Sequence, residues 1–485
     1  MDVLLGIGVL AVLFVFGVMH LRFCVNLAKE VIKDTNKKKG EKMKKVFSVL
    51  LAFAVFFAAA APTAKASEMQ VLVDKLVEKG ILSPYEGQIL MAQAKEEAAK
   101  DMAETKKVIV PEWTDNVKIK GDVRLRTQAD WGKGLGPAHQ RLRQRGRARL
   151  GVEGKVNDQV KAGVLAVTGN DDPRSTNQTL DDNFESYDLR LDQYYINWTA
   201  PVPGEIGKVD LWGGKFQNPM TYSSILWDGD INPGGMALKY ASPNFKLGEI
   251  PVSLYSNGGM FWLDEFQTSQ RDPLLWTIQG GFKANVISDW GSTIDTSVAY
   301  YDFANVQGNT AYANAPYSSG TNTLWGAGLG NTYRYDFNLV DVLFQYDSLQ
   351  IGDFKFGHGV FGDFIWNTAA PTNAFAWQLG GYIGDKKPEM PGQWKLTGEY
   401  RYIERESVPD FLPDSDFYGF TTQGVPRGGG TGGRGFVGSF EYAIMKNLSA
   451  GLTYYYCEPI SVNERLINRY DEPYQLMMLD IRTKF

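Results

Sequence analysis

Two cysteines and three histidines in 485 residues leave little material for thiol, haem or metal chemistry. There is no CxxCH for haem attachment, and Cys24 and Cys457 are too isolated to suggest a disulfide framework. Long apolar runs are equally scarce: past residue 66 no stretch offers the roughly 18 uninterrupted apolar residues that a membrane helix needs. Positive charge is also short. Residues 1–66 hold 10 Lys and Arg against 4 Asp and Glu, so from residue 67 onward 40 basic groups face 51 acidic ones, a net charge of −11. That balance argues against a nucleic-acid partner. What is plentiful is glycine (52) and aromatic residues (27 Phe, 24 Tyr, 12 Trp), in a chain only 44% hydrophobic with a mean hydropathy of −0.25. Many strands, tight turns and rings at an interface would use that mixture.

The N-terminal region reads as composite. Met43-Lys44-Lys45, the apolar run Val46 to Ala61 and the small residues Ala64-Lys65-Ala66 before Ser67 have the order of a secretory signal peptide. Ahead of it, residues 1–42 contain a second apolar stretch, Val3 to Val18, and a basic linker with Lys37-Lys38-Lys39. This extension reads either as a membrane anchor or as the product of an upstream start that is not used. The second reading is favoured, because a signal peptide this complete is redundant behind an anchor. Cleavage there removes Cys24 and leaves Cys457 alone, with His139 and His358 the remaining imidazoles. Residues 67–112 then read as a short helical periplasmic segment. Val73, Leu76 and Val77 lead to a capping Gly80, and Ser83-Pro84-Tyr85-Glu86 supplies an N-cap, a first-turn proline and a capping-box glutamate. The segment could tether or oligomerise the strand-rich remainder of the chain, or simply be solvated.

From residue 113 to 485 the side-chain period becomes two. Lys118-Ile119-Lys120-Gly121-Asp122-Val123-Arg124-Leu125-Arg126 alternates without a slip. In the last strand Met477, Leu479, Ile481 and Phe485 oppose Asp480, Arg482 and Lys484. Runs between turn signals give sixteen strands, an even number, with short connections (Asn157-Asp158, Ser288-Asp289) alternating with long ones (169–186, 304–336, 405–432). A half-buried edge strand of a soluble sandwich would share the alternation but not this pattern of loop lengths. The expected fold is all-β: a transmembrane antiparallel up-and-down barrel of sixteen strands. Its oily faces turn outward and its polar faces wall an interior too wide to fill with side chains.

A signal peptide, a short helical segment and a barrel ending on Phe485 together resemble the family of Gram-negative outer membranes named "putative porin", over residues 67–485. Trp212-Gly213-Gly214-Lys215-Phe216-Gln217-Asn218-Pro219 is similar to the Gly-Lys-Phe-x-x-Pro stretch of phosphate-selective-type porins. The resemblance implies a passive diffusion channel in the outer membrane, often a homotrimer, in contact with lipid and lipopolysaccharide and passing small hydrophilic solutes or ions. It implies no cofactor and no named solute.

Arg141, Arg143, Arg145, Arg147 and Arg149 occupy five successive same-face positions on the second strand, a ladder that climbs roughly 26 Å at about 3.3 Å per residue. Arg124, Arg126, Lys118 and Lys120 extend the basic face onto the first strand. Such crowded cations require carboxylates or mobile anions nearby. Either they form an anion-conducting track, or acidic loop residues neutralise them and set a transverse field. The connection after the fifth strand, with Trp227, Asp228, Asp230 and Asn232, is the candidate constriction loop, an ordinary surface loop being the alternative.

Weaker signals include Asp171-Asp172 with Asp181-Asp182, read as a solvated acidic loop rather than a Ca²⁺ site. Gly428-Gly429-Gly430 through Gly435 reads as a flexible outer loop. Two competing functions are a structural barrel that sheathes or tethers a partner such as a cytochrome, and an outer-membrane hydrolase using His139. No nucleophile accompanies that histidine, so no enzyme activity is expected.

Overall fold

The computed structural model describes residues 116–132, 140–202, 206–265, 271–309, 320–325, 332–421, 424, 426–461 and 473–485. The expected extension, signal peptide and helical segment, and His139, lie outside the described residues. Sixteen strands succeed one another in chain order: β1 Val117–Trp131, β2 Gln140–Lys155, β3 Val160–Val167, β4 Arg190–Ala200, β5 Lys208–Lys215, β6 Gly234–Ala241, β7 Ile250–Trp262 and β8 Leu274–Ile287. The second half comprises β9 Ser292–Ala304, β10 Asn338–Ser348, β11 His358–Asn367, β12 Phe375–Gly384, β13 Trp394–Ile403, β14 Gly433–Met445, β15 Leu448–Pro459 and β16 Tyr474–Lys484. Each pairs antiparallel with its chain neighbours, and β1 pairs with β16, so the sheet closes. Short two- and three-residue strands inside the connections, such as Gln178–Thr179 against β2, do not interrupt this order.

Alternation decides which way each strand faces. On β1, Asp122, Arg124, Arg126, Gln128 and Asp130 are all buried, whereas Val123 and Leu125 between them are 41% and 58% exposed. A soluble fold would show the reverse. Lipid, not water, covers the exposed apolar face. Rings gather on that face at the long-loop end: Trp366 stacks on Phe375 at 6.2 Å and Trp377 on Tyr402 at 5.9 Å. That is where an interfacial girdle belongs.

The closing seam uses the terminal aromatic residue. The Phe485 N–H donates to the Gly121 carbonyl and the Gly121 N–H returns the bond, both at 3.0 Å. The Phe485 ring lies over Gly121, where an added Cβ would meet it at 2.5 Å. Only glycine leaves room for this final residue.

The interior differs from the expected uniformly polar wall. Towards the long-loop end the inward faces of β9 to β16 turn apolar, through Tyr301, Phe303, Leu339, Ile365, Ile403, Cys457, Tyr474, Leu476 and Met478. Two connections fold into the barrel against them. Residues 216–233 bring Phe216, Ile225, Leu226 and Trp227, and residues 404–432 bring Val408, Leu412, Phe417 and Phe420. A sixteen-stranded barrel is too wide for its own side chains to fill, so inserted loops complete an internal core. The glycine-rich run is part of that packing and not an outer loop. Thr431 is fully buried, its N–H donates to Thr321 Oγ1 at 2.8 Å, and its hydroxyl donates to the Arg405 carbonyl at 2.7 Å.

Because Leu125 faces lipid near the middle of β1, Leu125→Arg is expected to cost about 2–4 kcal/mol. Denaturant unfolding from lipid vesicles measures this, with Leu125→Val changing little.

Candidate functional site: a basic wall facing two acidic loops

The basic wall is set by register. Arg124 stands opposite Arg147 on β2 and Arg482 on β16, and Arg126 stands opposite Arg145 and Asp480. Asp122 stands opposite Arg149 and Lys484. Three neighbouring strands thus place their polar faces side by side inside the barrel.

Carboxylates answer most of these cations. Asp122 takes Arg147 at 2.6 Å and Arg149 at 2.5 Å. Arg126 binds Asp480 with two nitrogens, at 2.7 and 2.9 Å, and reaches Asp416 at 3.3 Å. Among the described residues Arg145 finds neutral partners alone, Gln128 and Ser175 at 3.1 Å and the Asn177 carbonyl at 3.3 Å. Arg124 is the exception with the larger consequence. It is 7% exposed, and its one side-chain bond is an NH2 donation to Asn177 Oδ1 at 2.5 Å. Its Nε has no acceptor, and no carboxylate lies within ion-pair distance among the described residues.

The acidic side comes from the two inward loops. The 216–233 segment is anchored at its base by the Gly-Lys-Phe stretch. Gly214 takes φ +120°, where a Cβ would stand 2.2 Å from the Tyr194 carbonyl. Lys215 Nζ then donates to the Asn232 carbonyl at 2.7 Å. At its tip the Asp228 N–H donates to the Leu412 carbonyl at 2.6 Å, and the Ser415 N–H donates to Asp228 Oδ2 at 2.8 Å. Asp230 lies 3.8 Å from Arg149.

The space left between wall and loops is a cavity of about 190 Å³. Arg124, Arg126 and Arg147 of the strand wall line it together with Asp228, Asp230, Asp414 and Asp416 of the two loops and Arg174 of the connection after β3. Burial pushes the Asp228 carboxyl well above the usual carboxylate range, and the neighbouring charge of Asp414 pushes it the same way.

The residues singled out from sequence divide accordingly. Arg124, Arg126, Arg145, Arg147 and Arg149 come together with Asp228 and Asp230. Lys118 and Lys120 stand exposed at the short-turn end, and Arg141 is exposed at the far end of β2, with Arg143 half-buried below it. Trp227 is buried in the apolar core, its Nε1 donating to the Ile231 carbonyl at 3.0 Å. Asn232 braces the loop base through Asp192 at 2.7 Å and Gln193 at 2.9 Å.

Sequence reading missed Asp122 and Asp480 as partners of the ladder, and Asp414 and Asp416 as a second acidic loop. The signal for that loop was its apolar content, Val408, Phe411, Leu412 and Phe417, too high for a solvated connection. Asp171 and Asp172 pair with Arg190 and Arg174 respectively. Among the described residues His358 meets the Phe356 carbonyl at 3.0 Å and the Tyr346 ring at 6.0 Å between centroids.

A closed sixteen-stranded barrel with an apolar exterior and a narrowed, charged interior defines an outer-membrane channel. The sequence matches the family described as "Putative porin" over residues 135–328 and 344–485, and the chain belongs to that family. It is a porin of the Gram-negative outer membrane and not an enzyme. No curated protein matches it in sequence. Among solved structures it is similar to Pseudomonas putida OprB at high pH (11% identity, TM-score 0.46, 79% of this chain and 97% of that one). It is also similar to Salmonella typhi OmpF in complex with daunomycin (11%, 0.42, 77% and 99%) and to a loop-deletion variant of Vibrio cholerae OmpT (12%, 0.38, 76% and 100%).

Asp228 binds a proton more tightly in the folded chain than in the unfolded one, so its unfavourable contribution is present above its folded pKa and is relieved as pH falls through it. The unfolding midpoint of the wild-type barrel is therefore expected to rise on mild acidification relative to Asp228→Asn, the difference between the two removing effects of other carboxylates. Asp122→Asn keeps one acceptor oxygen but removes the negative charge that Arg147 and Arg149 share. It is expected to cost about 1–3 kcal/mol in the same unfolding assay.

Proposed function

We propose that this porin passes small hydrophilic solutes by passive diffusion and prefers anions at its narrowest point, where Asp228 and Asp230 face the arginine wall. The observation that carries this reading is Arg124, a buried guanidinium beside the cavity with an unpartnered Nε and, among the described residues, no carboxylate partner. A mobile anion that replaces the missing carboxylate gains a charge-assisted hydrogen bond there, while the acidic loops opposite keep the attraction weak enough for release. Arg126, Arg147 and Arg149 act differently. Their charges are already answered by Asp480, Asp416 and Asp122, so they shape the transverse field more than they attract.

The loops packed against β9 to β16 narrow the outer half of the interior, which supports a solute pore over a sheath around a cytochrome, since a threaded protein partner needs a wide bore. Assembly as a homotrimer, with lipid and lipopolysaccharide around it, is part of the same reading and is checked by cross-linking in native membranes.

Reversal potentials across planar bilayers in a salt gradient test the preference. Wild type is expected to favour chloride over potassium, with Arg124→Ala losing most of the bias while the channel stays open. A clear cation preference in wild type overturns the reading. Deleting residues 221–231 is expected to raise single-channel conductance, and unchanged conductance removes that loop from the constriction.

A further inference from the structure

Asp341 on β10 and Asp363 on β11 point into the barrel behind the 216–233 segment, at 1% and 5% exposure. They stand diagonally across the ladder, Asp341 opposite Ile365 and Asp363 opposite Leu343, with their carboxyl groups within hydrogen-bonding range of each other. Among the described residues no Lys or Arg forms an ion pair with either. The nearest cation by register is Arg401, which faces Gln378, the direct partner of Asp363. Its guanidinium is directed elsewhere, to Glu399 at 2.5 Å and Asp414 at 2.7 Å.

One contact ties the pair to the loop: the Ser223 hydroxyl donates to Asp363 Oδ2. Apart from the approach of the two carboxyl groups to each other, both oxygens of Asp341 and Oδ1 of Asp363 have no hydrogen-bond partner among the described residues. Two further oxygens, from neutral side chains, share that condition. Tyr301 is 1% exposed and its hydroxyl is unpartnered, within electrostatic range of both carboxylates. Gln378 is 6% exposed and its Oε1 is also unpartnered. Two buried carboxylates without a counter-charge are costly, and five orphaned oxygens around them are more than chance packing leaves.

The donor set contains oxygen alone, which suits a hard cation and not zinc or copper. We propose that Asp341 and Asp363, with Gln378 and Tyr301 beside them, form a calcium-class divalent-cation site that holds the 216–233 segment to the barrel wall. A double positive charge balances the two carboxylates, and calcium tolerates the irregular geometry of side chains drawn from four strands. Magnesium, which demands a near-octahedral shell and gives up water reluctantly, fits less well. The ion stabilises the loop through Asp363, whose other oxygen carries Ser223.

Equilibrium dialysis with radioactive calcium on the purified full-length barrel, stripped with EDTA, tests this. Wild type is expected to show one site that is absent from D341N and from D363N, and present when Asp171 and Asp172 of the outer loop are both changed to Asn. In Gln378→Ala, which keeps the carboxylate pair, half-saturation is expected to rise on the order of tenfold with the loss of one ligand. Heat-modified gel migration reports whether each variant has folded. If the carboxylate variants do not fold, Gln378→Ala decides. No calcium uptake by wild type, or equal uptake by wild type and the folded variants, overturns the proposal in favour of two carboxyls sharing a proton.

Discussion

Backbone hydrogen bonding without water is the constraint on which the rest of this structure depends. In hydrocarbon every peptide N–H and C=O must find a partner within the protein. The sheet meets that demand only because β1 finds β16 and leaves no edge. Closure fixes the register, and register fixes the chemistry. Shifting β16 by one residue against β1 would turn Asp480 to lipid and leave Arg126 without its two-point carboxylate. The small space made by Gly121 for Phe485 therefore bears on the interior as much as on the seam.

Closure also creates a geometric problem that the loops solve. A ring of sixteen strands encloses more volume than inward side chains can occupy, and this chain fills the surplus with connections that carry their own apolar residues. The result is two different interiors in one barrel. At the long-loop end of β9 to β16 the inside is a hydrophobic core. Along β1, β2 and β16 it is a charged wall facing the acidic edges of the same loops. Charge separation is a product of topology: the arginines sit on strands, where register holds them apart, and many of the opposing carboxylates sit on loops that packing holds in place.

The fold was largely legible in the sequence, because a period of two is a local signal and sixteen alternating runs repeat it. The inward direction of the ladder was legible for the same reason. Asp228 and Asp230 were singled out because their connection follows the fifth strand, and they do face the arginines, although Trp227 turned out to be core and Asn232 a brace. What escaped was non-local. Asp480 meets Arg126 across 354 positions of sequence, and Ser415 meets Asp228 across 187; no spacing rule reaches that far. The polar-inside rule also misled in the outer half of the barrel. There Phe303, Leu339 and Ile365 face inward, because the surface they meet is a loop and not water.

The internal core has a mechanical consequence. Lifting the 216–233 segment out of the barrel would return Phe216, Ile225, Leu226 and Trp227 to water, at about 1.5–3 kcal/mol for a side chain of that size. A membrane potential of 100 mV supplies only about 2.3 kcal/mol for each unit charge carried fully across, and Asp228 and Asp230 would move a fraction of that distance. Voltage alone does not dislodge such a loop.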